Sequence, residues 1–189
     1  MSSTEFRVDL RNIEFTLFEH LDMVSLLKRK AYSDFSTDDM KMTMEEAART
    51  AENIFAPINI IADREGCRFD NGNVFVPHSF HKAYRKYLEG GWLLMGVSEE
   101  AGGMGMPMCV TMAKREVIEG ACAPLAILSG LTQGAAHLIE SFGTNERKRI
   151  YMDKMYSGQW AGTMCLTEPQ TGSALGDIKT MARPAGDTV

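Results

Sequence analysis

The sequence predicts a mainly α protein: a helical bundle followed by the first strands of a second, β-rich domain. Three observations predict it. Apolar residues recur at three- and four-residue steps through most of residues 12–156. That period stops after Trp160, where a short, partly β-branched run meets Pro and Gly. With 44% apolar residues in a chain of 189, there is enough apolar surface for a core. Residues 1–159 are read as the helical domain, with a small hairpin at about 66–77, and residues 160–189 as the opening of the β-domain.

In residues 12–30, Phe15, Phe18, Leu21, Val24 and Leu27 recur at three-residue steps with Leu17 and Leu26 beside them, which predicts one packed helix with a basic end. Ser36, Thr37, Asp38 and Asp39 offer an N-cap, and Met44, Ala47, Ala48, Ala51, Ile54, Phe55, Ile58 and Ile61 follow at helical spacing. Pro57 removes a backbone donor inside that pattern and is expected to kink or split it. Asn71-Gly72 between short β-prone runs predicts a hairpin. Pro77 suits the start of a helix that Gly90-Gly91 ends. Residues 92–107 carry Gly96, Gly102, Gly103 and Gly105 and are read as an irregular loop. Residues 110–129 and 131–142 resume helical patterning around Pro124, with Ala135, Leu138, Ile139 and Phe142 as the second buried face and Gly143 at the C′ position. Thr144 or Asn145 caps one more helix, closed by Ser157-Gly158. Residues 161–167 read as a strand entering a loop.

Composition narrows the function classes. The net charge is −5, and Lys and Arg are mixed with Asp and Glu, which speaks against a nucleic-acid surface. The apolar runs are broken by Gly, Gln or charge before the ~20 residues of a membrane span, so no span is expected. Glu5, Asp9 and Glu14 fall where a leader would be apolar or basic. Cys67, Cys109, Cys122 and Cys165 show no CxxC pairing and suit reduced packing thiols, so a cytoplasmic location is expected.

The chemistry-bearing stretch is Met164-Cys165-Leu166-Thr167-Glu168-Pro169-Gln170-Thr171-Gly172-Ser173. A strand ending in Thr, a Pro turn and then Gly-Ser present hydroxyls and amides along one edge. Taken alone, this reads more readily as an ordinary turn whose Ser and Thr satisfy local backbone groups than as a ligand site.

Leu166-Thr167-Glu168-Pro169, then Gly172-Ser173, with Thr180 and Ala182 after them, closely resembles the flavin-binding signature of acyl-CoA dehydrogenases. Upstream, Phe142-Gly143-Thr144-Asn145-Glu146-Arg147-Lys148 through Ser157-Gly158 is similar to a helix of that family, and Gly96-Val97-Ser98-Glu99-Glu100-Ala101-Gly102-Gly103-Met104-Gly105 to its glycine-rich loop. The order and spacing agree over roughly residues 45–189. Residues 6–17 resemble the opening of the branch that includes 3-methylmercaptopropionyl-CoA dehydrogenase, with Asp9 in place of a Pro and Asn12 in place of an Asp.

The resemblance implies a helical bundle leading into an incomplete β-barrel domain. It implies FAD, with Met164, Leu166 and Thr167 along the isoalloxazine and Gly172 and Ser173 at the pyrophosphate, Ser173 also touching the CoA thioester ligand. Ala174 stands where the family has Asp. The implied reaction is α,β-dehydrogenation: a carboxylate base removes the α proton while the β hydrogen leaves as hydride. That base is expected beyond Val189, so no catalytic residue is assigned and the chain alone is expected to be inactive. The implied partners are an acyl-CoA thioester, an electron-transfer flavoprotein or similar acceptor, and further copies in a homodimer or homotetramer. A non-catalytic partner subunit, an acyl-CoA oxidase and a flavin monooxygenase are the alternatives.

Other candidates are read as structural. His20, His78, His81 and His137 lack ligand spacing, so no metal is expected. Glu99-Glu100 point apart, and no strand feeds Gly102-Gly103-x-Gly105. Ala126, Ser129, Gly130 and Gly134 mark either close helix packing or a void for an acyl chain.

Overall fold

The computed structural model describes residues 6–183 and Gly186; Asp187–Val189, read above as continuing β-domain sequence, lie outside the described residues. The first helix, α1 (Leu10–Glu14), is capped by the Asp9 carboxylate, which accepts from the Asn12 amide at 3.1 Å. It widens into a π-helical turn, Phe15–His20. The single helix expected over 12–30 is broken at Asp22, which takes a left-handed φ of 48° and caps α2 (Met23–Leu27) through the Ser25 amide. The π turn rotates the apolar stripe: Ile13, Leu17, Met23 and Leu27 are buried, whereas Phe15, Leu21 and Val24 stay exposed.

α3 (Thr37–Thr50) starts on a complete capping box, the Ser36 hydroxyl and the Asp39 carboxylate each satisfying the other's amide. Its Met40, Met44, Ala47 and Ala48 are buried. Pro57 has no N–H for the preceding turn, and the chain accommodates this by widening into a π turn, Ala51–Phe55, before α4 (Ala56–Glu65) resumes. Phe55 is buried there, while Ile61, expected on the inner face, is exposed.

β1 (Arg68–Asp70) and β2 (Asn73–Phe75) pair antiparallel, Phe69 opposite Val74, about Asn71 and Gly72 with φ of 48° and 82°. The hairpin brings Glu65, at the end of α4, to the start of α5 (His78–Glu89). There the Glu65 carboxylate accepts from the His78 and Ser79 amides, which Pro77 cannot cap. The His78 amide bond above all holds the Glu65 carboxyl below its usual value. The loop over 92–107 contains a single 3₁₀ turn, Glu99–Ala101. Gly103 is required within it because a Cβ there would sit 2.2 Å from the Val97 carbonyl oxygen.

α6 (Met108–Phe142), 35 residues long, bends at Cys122, whose φ of −157° and ψ of 82° are not helical, two residues ahead of Pro124. The bend resets the helical phase. The second buried face therefore centres on Thr132 and Ala136; of the expected set, Ala135 and Ile139 are half-buried against the smaller core, whereas Leu138 and Phe142 are exposed. Gly143 is extended, not left-handed, and allows close approach to the Ile139 carbonyl. By length and composition α6 is long and apolar enough to cross a membrane, contrary to the expectation from apolar runs, because the Gly and Gln that interrupt the runs weigh little on its mean hydropathy. In the fold it packs against α3, α4 and α7 (Asn145–Tyr156, N-capped by Thr144).

The main core gathers α1–α6 around Phe55, Met40, Met44, Leu93, Ile118 and Leu125. Within it Lys114, 3% exposed, donates to the Tyr87 hydroxyl at 3.0 Å and the Trp92 carbonyl at 3.1 Å. A smaller core joins Val97, Ala136, Met152, Met155 and Tyr156. Beyond α7 the described chain holds one 3₁₀ turn, Leu175–Asp177, and the strand expected at 161–167 has no ladder partner among the described residues, so it forms no sheet.

Candidate functional site

The segment after α7 is docked at two points before it leaves the helices. The Trp160 amide donates to the Lys154 carbonyl at 2.9 Å, its indole packs edge-on against Tyr151 at 5.7 Å, and the Lys154 ammonium lies 4.1 Å from the ring centre. Two residues on, the Gly162 amide donates to Thr132 Oγ1 at 3.1 Å.

The platform under this segment is tied together by Glu140. Its carboxylate accepts from Ser98 Oγ at 2.6 Å and Tyr156 OH at 2.7 Å, with His137 Nδ1 at 3.7 Å, joining the glycine-rich loop to α6 and α7. Burial pushes this carboxyl up, but the Ser98, Tyr156 and His137 bonds outweigh it and leave it below its usual value. Burial first, and the bond to Glu140 second, push the Tyr156 hydroxyl above its usual range.

The bend itself is closed by Glu168. The Glu168 and Thr171 backbones exchange hydrogen bonds of 2.9 and 3.1 Å, and the buried Thr171 side chain donates to the Ala174 carbonyl at 2.6 Å. The Glu168 carboxylate accepts from the Lys179 and Thr180 amides, both at 2.9 Å, and from the Thr180 hydroxyl and the Gln170 amide group. The Thr180 hydroxyl is the largest influence, followed by the two backbone amides, and together they hold this carboxyl down at about 2.

The five sequence-assigned residues occupy the outside of this bend. Met164, Leu166, Thr167, Gly172 and Ser173 are all exposed, Met164 at 67% and Leu166 at 42%. Gly172 and Thr167 are neighbours: a Cβ on Gly172 would lie 3.7 Å from Thr167 Cγ2. The Thr167 and Ser173 hydroxyls have no internal hydrogen-bond partner among the described residues. The bend thus presents apolar side chains beside free donors, a combination that suits a flat ligand with a polar edge. Sequence reasoning missed Glu168 and Thr132. Glu168 lies inside the motif, but its partners 11 and 12 residues downstream carry no local signal.

The remaining candidates have other surroundings. Glu99 and Glu100 are exposed. His78 and His81 stack with ring centres 5.7 Å apart, and among the described residues no group of three His, Cys, Asp or Glu side chains converges. The four thiols are free, but only Cys122 is buried; Cys67 and Cys165 are exposed and so do not pack. Beside Ala126, Ser129 and Gly130 there is a crevice of only ≈ 20 Å³, lined also by Lys114 and Gln133. A wider groove of ≈ 520 Å³, lined by Met95, Met104, Met106, Asp34, Asp39 and Glu46 among others, involves none of residues 160–183.

Residues 37–159 match the family model described as acyl-CoA dehydrogenase, N-terminal domain. The 3-methylmercaptopropionyl-CoA dehydrogenase of Ruegeria pomeroyi is 34% identical over 183 residues, 96% of this chain and 31% of that protein. The broad-specificity linear acyl-CoA dehydrogenase FadE5 of Mycobacterium tuberculosis is 34% identical over 97% of this chain and 30% of its own length. A butyryl-CoA dehydrogenase of Syntrophomonas wolfei is 33% identical over 97% of this chain and 31% of its own. Among solved structures, a chain described under "Electron transferring flavoprotein of Acidaminococcus fermentans: Towards a mechanism of flavin-based electron bifurcation" superposes with a TM-score of 0.64 at 26% identity, covering 81% of this chain and 38% of that one. The chain spans just under a third of the length of the curated relatives it matches.

Proposed function

Because the chain belongs to the acyl-CoA dehydrogenase family, we propose that it supplies one wall of the cofactor and thioester site of an FAD-dependent enzyme that dehydrogenates an acyl-CoA between its α and β carbons. The observation that carries this reading is the bend at 166–173, which Glu168 holds rigid while Thr167 and Ser173 turn unpartnered hydroxyls outward. The donor set fits FAD: exposed Met164 and Leu166 offer apolar contact for the ring system, and Thr167 offers its hydroxyl and backbone to the polar edge. Gly172, lacking a side chain, leaves room for close approach to the pyrophosphate beside Ser173, and Ser173 also serves the CoA thioester ligand.

Bound here, FAD would supply the hydride acceptor for the β hydrogen. The residues here bind and orient; none of those described is assigned the base that removes the α proton. The curated relatives' names support an acyl-CoA substrate. The family resemblance supports an electron-transfer flavoprotein or similar acceptor and a homodimer or homotetramer. The free thiols support a cytoplasmic location.

The test is to express the protein from its whole reading frame, record flavin absorbance per chain, and follow its bleaching by a panel of acyl-CoAs without oxygen. Bound flavin bleached by at least one acyl-CoA is expected, with Thr167→Val and Ser173→Ala retaining less flavin. A wild-type protein purified in the presence of FAD that carries none would overturn the reading.

A further inference from the structure

We propose that Thr132 is a positioning residue for this site: with the bare Cα of Gly162 it fixes where the chain leaves the helical domain, and so where the 164–173 bend stands. The inference rests on the flavin reading above. Thr132 is 1% exposed, and both sides of its hydroxyl are used: Oγ1 donates to the Leu128 carbonyl at 3.2 Å and accepts from the Gly162 amide at 3.1 Å. A buried hydroxyl committed in both directions cannot rotate to follow a moving partner.

Gly162 is pressed against the same turn of α6. An added Cβ would lie 2.5 Å from Ala135 Cβ, 3.2 Å from Met155 Cε and 3.3 Å from the Leu131 carbonyl. Any side chain at 162 would therefore lift the backbone off α6 and α7. Trp160, bonded to the Lys154 carbonyl, is a second attachment two residues earlier, and two fixed points set a direction as well as a place. After Gly162 the next five residues are exposed, so none of them offers a packing contact that would correct an error made here.

Because Glu168 closes the bend on itself, the bend moves as one piece. Only residues 163–166 lie between Gly162 and Thr167, so a displacement at Gly162 shifts the origin from which Thr167 and Ser173 are placed, and misplacement of binding groups by about 1 Å is enough to weaken a site.

The variants are Thr132→Val, which keeps the shape and removes the hydroxyl, Thr132→Ser, which restores it, and Gly162→Ala alone and with Ala135→Gly. Amide exchange at Gly162 and acrylamide quenching of Trp160 are read on the 189-residue chain, and flavin retained per chain on the protein from its whole reading frame. In Thr132→Val, Gly162 exchange is expected to rise about tenfold, the loss of one buried hydrogen bond, while thermal unfolding shifts little. Flavin retention falls in Thr132→Val and returns in Thr132→Ser. Should Thr132→Val fail to fold, the Gly162→Ala pair decides: flavin loss repaired by Ala135→Gly supports the anchor, and loss left unrepaired overturns it. Unchanged Gly162 exchange, or wild-type flavin retention, in a folded Thr132→Val also overturns it. A wild type without flavin defeats the flavin reading alone, because exchange at Gly162 still decides whether the anchor exists.

Discussion

Replacing Lys114 by Met separates two opposed effects at the centre of the main core. The methionine keeps the unbranched stem and so disturbs packing little. It removes an ammonium whose burial is unfavourable, and it also removes the donor to the Trp92 carbonyl at 3.1 Å and to the Tyr87 hydroxyl at 3.0 Å. The carbonyl then keeps only the Tyr87 hydroxyl at 3.5 Å, too long to replace the lost bond. Hydrogen bonds from a charged donor contribute about 1.5–3 kcal/mol each, and a buried acceptor left unpaired costs about 1–3 kcal/mol. The Tyr87 ring, 5.3 Å from the ammonium, already offsets part of the burial cost in the wild type. The lost bonds should win by about 2 kcal/mol, a fall in Tm of about 4–8 °C for a chain of this length. Thermal and urea unfolding followed by circular dichroism measure it. A variant as stable as wild type, or more stable, would show that the desolvated charge outweighs its bonds and would refute the reasoning.

Two further outcomes follow from the same geometry. Glu168 is held at about 2 against an ordinary value near 4.5, so the order it gives the bend is complete above pH 4.5 and is lost as pH falls from there through 2; amide exchange at Lys179 and Thr180 should lose protection across that window, and Glu168→Gln should show the same loss at neutral pH. Gly103→Ala drives a Cβ into the Val97 backbone, which cannot move aside as a side chain end can, so a loss of about 1–3 kcal/mol is expected, read by urea unfolding.

The helices were legible where the determinant is local. The capping box at Ser36, the Asn71-Gly72 turn and Pro77 each act within a few residues, and each produced the element expected. The misplaced helical faces share one cause. A strict helical period was assumed to continue through 12–30 and through 131–142, but a π turn at Phe15–His20 and a bend at Cys122 shift the phase, moving Leu138 and Phe142 from the inner face to solvent. For the candidate site, the motif showed which residues share the bend, and the structure puts Thr167 beside Gly172. What holds the bend was not legible, because Glu168 bonds to residues 179 and 180 and Gly162 to a helix thirty positions earlier.

The Glu168 clasp also sets an order of events as the chain is made. Synthesis proceeds from the N-terminus, so the short Glu168–Thr171 bridge can form as soon as those residues emerge. The carboxylate waits for Lys179 and Thr180 before it has donors to receive. α6 and α7 precede these residues in the chain, so the bend is the last piece of this surface to set.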